Sequence, residues 1–305
     1  YNQLIARRVR ECKVYCQIDP CDVDSDYIKS LNPEGIILSG GPASIYEKNS
    51  PKIDKEIFEL NIPVLGICYG LHFMVNALGG SVKKTGKREY GFAELEINNK
   101  ENIFKEIEDK TTCWMSHGDS IEKLPDGFII TASTSNTPAA AIADTSRKMY
   151  GFQFHPEVEH TPDGKQMLRN FLFNICGCKP DWTMESFARD AIDTIRDTVK
   201  DKQVILGLSG GVDSSVVAML LHKAIGTQLT CIFVNNGLLR KDEEKKLKVT
   251  LNEHLKINIR FINAEDKFLT ELSGVLDPEE KRKIIGRLFI DVFDAQASMI
   301  KDAVF

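Results

Sequence analysis

Twice in this chain a short run of branched apolar residues ends in glycine and passes straight into a helical pattern. The first junction is IPVLGICYGLHFMVNALGG (62–80) and the second is QVILGLSGGVDSSVVAMLLHKAIG (203–226). A strand that is apolar at every position is buried on both faces, which calls for a parallel sheet with helices on each side. Glycine is needed where such a strand and the next helix approach closely. The same alternation runs through the chain. The apolar runs KVYCQI (13–18) and GIILS (35–39) precede the first junction. A more antiparallel-looking middle follows, with YGFAELEI (90–97), TTCWMS (111–116) and FIITAS (128–133), then AAAIAD (139–144), KMYGFQF (148–154) and the helical GKQMLRNFLFNIC (164–176). CGCKPDWT (176–183) breaks both periodicities and marks a boundary. Beyond it a helix, MESFARDAIDTIRDTVK (184–200), leads into βαβ units: QVILGL (203–208), LTCIFV (229–234), the charged helix RKDEEKKLKVTLNEHL (240–255) and INIRFI (257–262). The expectation is an α/β protein with two doubly wound domains, residues 1–178 and 179–305.

Composition narrows the function classes. The 305 residues carry a net charge of −5 with no basic stripe, which argues against a nucleic-acid binder. No apolar run reaches the roughly 18 residues of a membrane span, and no signal-peptide pattern opens the chain. The eight cysteines, at 12, 16, 21, 68, 113, 176, 178 and 231, lack the paired C-x2-C spacing of zinc sites. In a chain with its own core they read as reduced thiols of a cytoplasmic protein.

Three segments carry candidate chemistry. Gly66-Ile67-Cys68-Tyr69-Gly70 has the spacing of a nucleophile elbow, in which a sharp strand-to-helix turn presents the central side chain. A thiol at a helix N-terminus has its thiolate stabilised by the helix dipole. A buried structural cysteine in a tight turn has the same pattern. In FQFHPEV, His155 and Glu157 lie two apart on extended chain and project to one side, so that the carboxylate can orient the imidazole. In ILSGGP, Gly40-Gly41 offers bare backbone N–H groups that can face an oxyanion. All three stand at the carboxyl ends of expected strands, where open α/β sheets bind ligands.

SGGP, GICYG, SHGD and FHPE in this order resemble the class I glutamine amidotransferases, over roughly residues 1–178. The resemblance implies that Cys68 attacks the glutamine side-chain amide, His155 shuttles the proton and Glu157 orients His155. It further implies that Gly41 and Tyr69 supply oxyanion-hole N–H groups.

The second junction is a strand, then Ser209-Gly210-Gly211-Val212-Asp213-Ser214-Ser215, then a helix. Glycines free the backbone to wrap a phosphate, and the helix N-terminus adds donors and a positive dipole. No Lys-Ser/Thr closes the loop, so it is not a Walker A motif; a glycine-rich turn that binds nothing looks alike. SGGVDS is similar to the pyrophosphate loop of ATP pyrophosphatases. A class I glutaminase followed by this loop resembles the glutamine-hydrolysing GMP synthases, as do CIFVNNGLLRKDE and DPEEKRKIIGRLFIDVF. That resemblance implies glutamine, xanthosine 5′-monophosphate and ATP as substrates, with Mg2+. Ser209 through Ser215 would hold the ATP phosphates, and Asp213 the metal. The basic Lys281-Arg282-Lys283 beside Gly286 reads either as part of a lid or as an exposed helix end.

Two other readings stand beside this one: a glutaminase feeding a different acceptor, and a non-catalytic nucleotide-binding module. The chain also departs from the pattern. His72 stands where the glutaminase family usually has Gln, and Asn235 where the synthases commonly have Asp. The family's first glutaminase strand would precede Tyr1. The rest of the synthetase domain and a dimerisation domain would follow Phe305. An incomplete copy of a homodimeric parent is therefore expected, one that does not make GMP by itself.

Overall fold

In the computed structural model, which describes residues 2–100, 102–249, 256–300 and 303–304 (backbone alone at 85–88 and 303–304), the chain divides into two units, Tyr1–Thr183 and Met184–Phe305. The first begins with α1 (Asn2–Glu11), whose buried Ile5, Ala6 and Val9 recur at helical spacing. Lys13 then takes a left-handed φ of 60°. KVYCQI, expected as a strand, is not one. Among the described residues no neighbouring strand offers it a ladder; Cys16 O instead accepts from Arg10 Nη2 at 3.0 Å and Lys13 O from Trp182 N at 2.9 Å. Helix α2 (Ser25–Leu31) is capped by Asp24, whose side chain accepts from Tyr27 N.

The first sheet comprises β1 (Ile36–Leu38), β2 (Val64–Ile67), β3 (Ser81–Ile97), β4 (Lys110–Lys123), β5 (Ile129–Ser133), β6 (Ala141–Asp144) and β7 (Met149–Phe152). Helix α3 (Tyr69–Ala77) follows β2, and α4 (Gly164–Asn170) follows β7. The spatial order is β1-β2-β7-β6-β5-β3-β4. β1, β2 and β7 are parallel, and the rest extend the sheet antiparallel. Alternation along β2 explains its continuous apolar run. Val64 packs with Leu71 and Met74 of α3, while Leu65 and Ile67 pack on the other face with α1 and the α4 side.

The second unit starts with α5 (Met184–Val199). It continues through β8 (Gln203–Gly207), α6 (Val212–Ile225), β9 (Leu229–Asn235), α7 (Glu243–Leu247), β10 (Ile259–Asn263), α8 (Glu265–Leu272), α9 (Pro278–Ala297) and β11 (Ala303–Val304). Its four strands are all parallel, in the order β10-β9-β8-β11. Helices cover both faces: α5, α6 and α7 pack over Cys231 and Phe233, and α8 and α9 over Ile205 and Ile232. The helix expected over 240–255 is described as α7, and residues 250–255 lie outside the described residues. Lys281 to Lys283 form an exposed stretch of α9, which continues unbroken through Gly286.

Candidate active site

The β2–α3 junction is a tight elbow. Cys68 is the N-cap residue of α3, with φ 50° and ψ −102°. For a residue with a Cβ this is strained backbone, costing about 1–3 kcal/mol unless its surroundings hold it. Cys68 N donates to Phe152 O of β7 at 2.7 Å, and Cys68 O accepts from His72 N at 3.1 Å. The flanking glycines are required by close approach. A Cβ on Gly66 would stand 2.8 Å from Leu71 N, and one on Gly70 would collide with the Leu38 carbonyl of β1. The thiol is 6% exposed, and Sγ lies 3.7 Å from Ser116 O, its hydrogen-bond acceptor in SHGD.

His155 and Glu157 follow β7 and are 3% and 0% exposed. His155 Nδ1 lies 2.8 Å from Glu157 Oε1, which leaves Nε2 for the sulfur side. Burial alone would push the imidazole down, but hydrogen bonds to Cys68 and Glu157, with the Glu157 charge, hold it up at about 9. Glu157 Oε2 is buried without a partner among the described residues, so the imidazole is the carboxylate's sole side-chain counterpart there. Sequence reasoning missed the residues that pin this segment. His155 N donates to Trp114 O at 3.1 Å, and Thr161 Oγ1 donates to His155 O at 2.7 Å while accepting from Trp114 N at 3.0 Å. Arg8 Nε of α1 donates to Glu157 O at 2.9 Å. Each tie uses a backbone group as donor or acceptor, and those from Trp114 and Arg8 join segments distant in sequence, for which no local motif exists.

Gly40 lies against both side chains: a Cβ there would stand 3.0 Å from His155 Cε1 and 3.5 Å from Cys68 Cβ. Gly41 is beside Tyr69, 3.8 Å from its Cβ by the same measure. Tyr69 N, next in the chain to Cys68, is one of the α3 N–H groups with no partner inside the helix. Downstream of SGGP, Ser44 Oγ donates to Asp119 Oδ2 of SHGD at 2.6 Å, and Tyr69 OH to Pro51 O at 2.5 Å.

In the second unit the loop Ser209–Ser215 stands at the carboxyl end of β8. Gly210 has a φ of 80°, and α6 opens with Gly211 as its N-cap. Ser209 Oγ lies 3.0 Å from Ser214 Oγ and accepts from Gly211 N at 3.3 Å; Ser214 Oγ and Ser215 Oγ donate to Gly211 O. Ser209, Gly211, Val212 and Asp213 are exposed. The loop is exposed at the N-terminus of α6, with Gly211 N bonded to Ser209 Oγ and Ser215 N to Gly211 O. Nearby, at the ends of β9 and β10, a cavity of about 430 Å³ is lined by residues including Asn235, Arg240, Glu243, Glu244, Lys248 and Glu265. Asn235 Nδ2 donates to Glu244 Oε2 at 3.1 Å, and Glu243 Oε1 lies 3.3 Å from where a Gly210 Cβ would be. The sequence signal for α7 was only its charge, which reads as a solvated surface. Among the described residues no cluster of three or more His, Cys, Asp or Glu could hold a metal ion. No helix among them is long and apolar enough to cross a membrane.

A thiol on a strained elbow and an imidazole bonded to a buried carboxylate are the parts that an acyl-transfer site of the cysteine type requires. The chain belongs to the class I glutamine amidotransferase family, whose model matches residues 1–175. Residues 187–284 match the NAD synthase family model. The whole chain is 53% identical to the glutamine-hydrolysing GMP synthase of Brachyspira hyodysenteriae, covering 59% of that protein. It is 54% identical to that of Clostridium perfringens, covering 60%. The chain therefore spans about 60% of the length of the curated relatives it matches. The crystal structure of a putative GMP synthase subunit from Thermoplasma acidophilum superposes with a TM-score of 0.52 at 34% identity, over 58% of this chain and 88% of that one.

Proposed function

We propose that the complete protein aminates xanthosine 5′-monophosphate to GMP, with glutamine as nitrogen donor and ATP cleaved to AMP and pyrophosphate. The observation that carries this reading is the coexistence in one chain of the Cys68–His155–Glu157 arrangement and the SGGVDSS loop at the head of α6. The names of the 53–54% identical relatives support it. Residues 1–178 are assigned to glutamine hydrolysis and 179–305 to the ATP pyrophosphatase domain.

In the first domain the Cys68 thiol passes its proton to His155 and the sulfur attacks the carboxamide carbon of glutamine. The oxyanion is met by the N–H groups of Gly41 and Tyr69. His155, protonated and bonded to Glu157, gives its proton to the departing nitrogen, and ammonia leaves a thioester on Cys68. His155 then takes a proton from water as that water attacks the thioester. Glutamate departs and the thiol is restored. In the second domain the C2 oxygen of xanthosine monophosphate attacks the α-phosphorus of ATP and expels pyrophosphate. Ammonia then displaces AMP from C2. The N–H groups of Ser209–Ser215 receive the phosphate charge. Mg2+ fits as an ion carried largely on the phosphates, because the loop offers one exposed carboxylate, Asp213, to hold it. When bound it neutralises phosphate charge.

The eight cysteines are all free, which suits a protein acting in the reducing cytoplasm. The resemblance to GMP synthases extends to a homodimeric parent, which sedimentation of the complete protein tests. The decisive experiment measures glutamate, pyrophosphate and GMP released by the complete protein as each substrate is omitted. GMP should require all three substrates, with ammonium salts replacing glutamine. Asp213→Ala should lower pyrophosphate release about 10–100-fold, the scale of a metal site losing a supporting group, and spare glutamine hydrolysis. Pyrophosphate release that needs an acceptor other than xanthosine monophosphate would overturn the assignment.

A further inference from the structure

His72 and Gln153 are buried, at 4% and 0% exposure, and neither has a part in the chemistry above. His72 Nε2 lies 2.6 Å from Gln153 Oε1. Burial is the main reason the ring is held neutral, down at about 4; the bond to Gln153 opposes this, the nearby His117 adds to it, and Asp119 opposes it. A neutral imidazole and a carboxamide each offer a donor and an acceptor, so the two match without any charge. The other end of the carboxamide, Nε2, is buried and has no partner among the described residues. Keeping an amide in such a site is costly, and its bond to the His72 ring is the return the site shows.

The placement of the pair gives that bond a purpose. His72 stands one helical turn beyond Cys68, and its N–H bonds the Cys68 carbonyl at 3.1 Å. Gln153 stands two residues before His155 on the chain leaving β7, where alternate residues share a side. The bond therefore crosses between the two segments that carry the nucleophile and its base. Cys68 and His155 stand on the same two segments, close enough that a Cβ on Gly40 would touch both. The backbone bond from Cys68 N to Phe152 O joins the same two segments. Beyond Phe152 the backbone is tied to other segments, Gln153 N to Ala140 O at 2.9 Å and His155 N to Trp114 O at 3.1 Å, and the Gln153 side chain adds a tie from this segment to the helix that follows Cys68. At position 72, where the family usually has glutamine, this chain has an imidazole that reaches across.

We propose that the His72–Gln153 hydrogen bond is a positioning clamp, holding the segment that bears His155 in register with the helical turn that bears Cys68. The inference rests on the glutaminase reading of those two residues. A displacement of about 1 Å between reacting groups can cost on the order of 100-fold in rate.

The test uses the complete protein and two readouts, glutamine hydrolysis and the pH dependence of Cys68 alkylation by iodoacetamide, followed on the Cys68 peptide by mass spectrometry. Gln153→Met keeps the shape and removes the acceptor. It should lower kcat about 10–100-fold, with KM within about threefold, and shift the alkylation profile. His72→Leu should do the same, and the double variant should be no worse than either single one. His72→Gln, which can still donate to the carboxamide, should recover most of kcat and the parent profile. Unchanged kcat in Gln153→Met, a rise in KM alone, or a lowered Tm with the alkylation profile intact would each overturn the clamp. Hydrolysis that survives Cys68→Ala would instead overturn the glutaminase reading beneath it.

Discussion

The two strand–glycine–helix junctions look alike in sequence and behave oppositely in the folded protein. At β2–α3 the reactive groups are buried and held by bonds from several elements: Cys68 to Phe152, His155 to Trp114 and Thr161, Glu157 to Arg8. At β8–α6 the loop is exposed, its hydroxyls bond within the loop, and Gly211 and Asp213 face solvent. The glycines differ accordingly. Gly70 has no room for a Cβ, because Leu38 is pressed against it; a Cβ on Gly211 would meet only Ser209 Oγ, at an ordinary 3.5 Å. A site that makes a covalent bond from its own side chain must hold that side chain before the substrate arrives. A site that grips a phosphate with backbone N–H groups can stay open, since the ligand supplies the missing partners.

The largest expected effect is Cys68→Ala. It should cut glutamate release by about 10⁴-fold or more with nucleotide binding unchanged; glutamate release at the parental rate would remove the reason for the first site's rigidity. Next comes Glu157→Gln, expected to cost about 10²–10⁴-fold because the imidazole loses its buried charge partner. The sign of the pH dependence follows. His155 is raised from 6.5 to about 9 in the folded protein. Its contribution to stability is therefore fully present below pH 6.5 and is lost as pH rises through about 9. Hydrolysis should fall along an alkaline limb near pH 9, since His155 must still hold a proton to give the leaving nitrogen. In Glu157→Gln that limb should move to lower pH, and a pH–rate profile of both proteins checks it.

A pair of glycine substitutions separates the junctions further. Gly70→Ala should destabilise by about 1–3 kcal/mol, the range for overpacking. Gly211→Ala should stay within about 0.5 kcal/mol of the parent, as an unstrained surface change does. It should nevertheless weaken ATP binding, because the methyl stands where a phosphate must approach. Urea midpoints and a nucleotide titration decide the matter, and equal destabilisation by both would erase the contrast. The smallest expected effect is Cys68→Gly, which should be more stable than Cys68→Ala by about 1 kcal/mol, through release of the positive-φ strain at that position.

Much of this was readable before folding. Apolar runs of strand length and helical periodicities are local, so β1, β2, β7, β8 and β9 and helices α3, α5 and α6 stand where their patterns put them. Cys68, His155 and Glu157 were found because their neighbours in the chain, Gly66, Gly70 and Pro156, impose a turn or an extended backbone that has few uses. KVYCQI had strand composition and formed none, since a strand exists only where a neighbour completes its ladder. Thr161, Trp114 and Arg8 carry no signal of their own; they matter through bonds spanning 6, 41 and 149 positions. His72 was visible as a departure from a pattern, yet its partner Gln153, 81 residues away, was not. By itself the sequence determined where most strands and helices can form and which side chains have the chemistry to react, because those follow from the conformations and chemistry of neighbouring residues. The tertiary structure alone decided which groups are dry, which are paired and how far the imidazole's proton affinity is raised, because burial and hydrogen bonding depend on residues that only folding brings together.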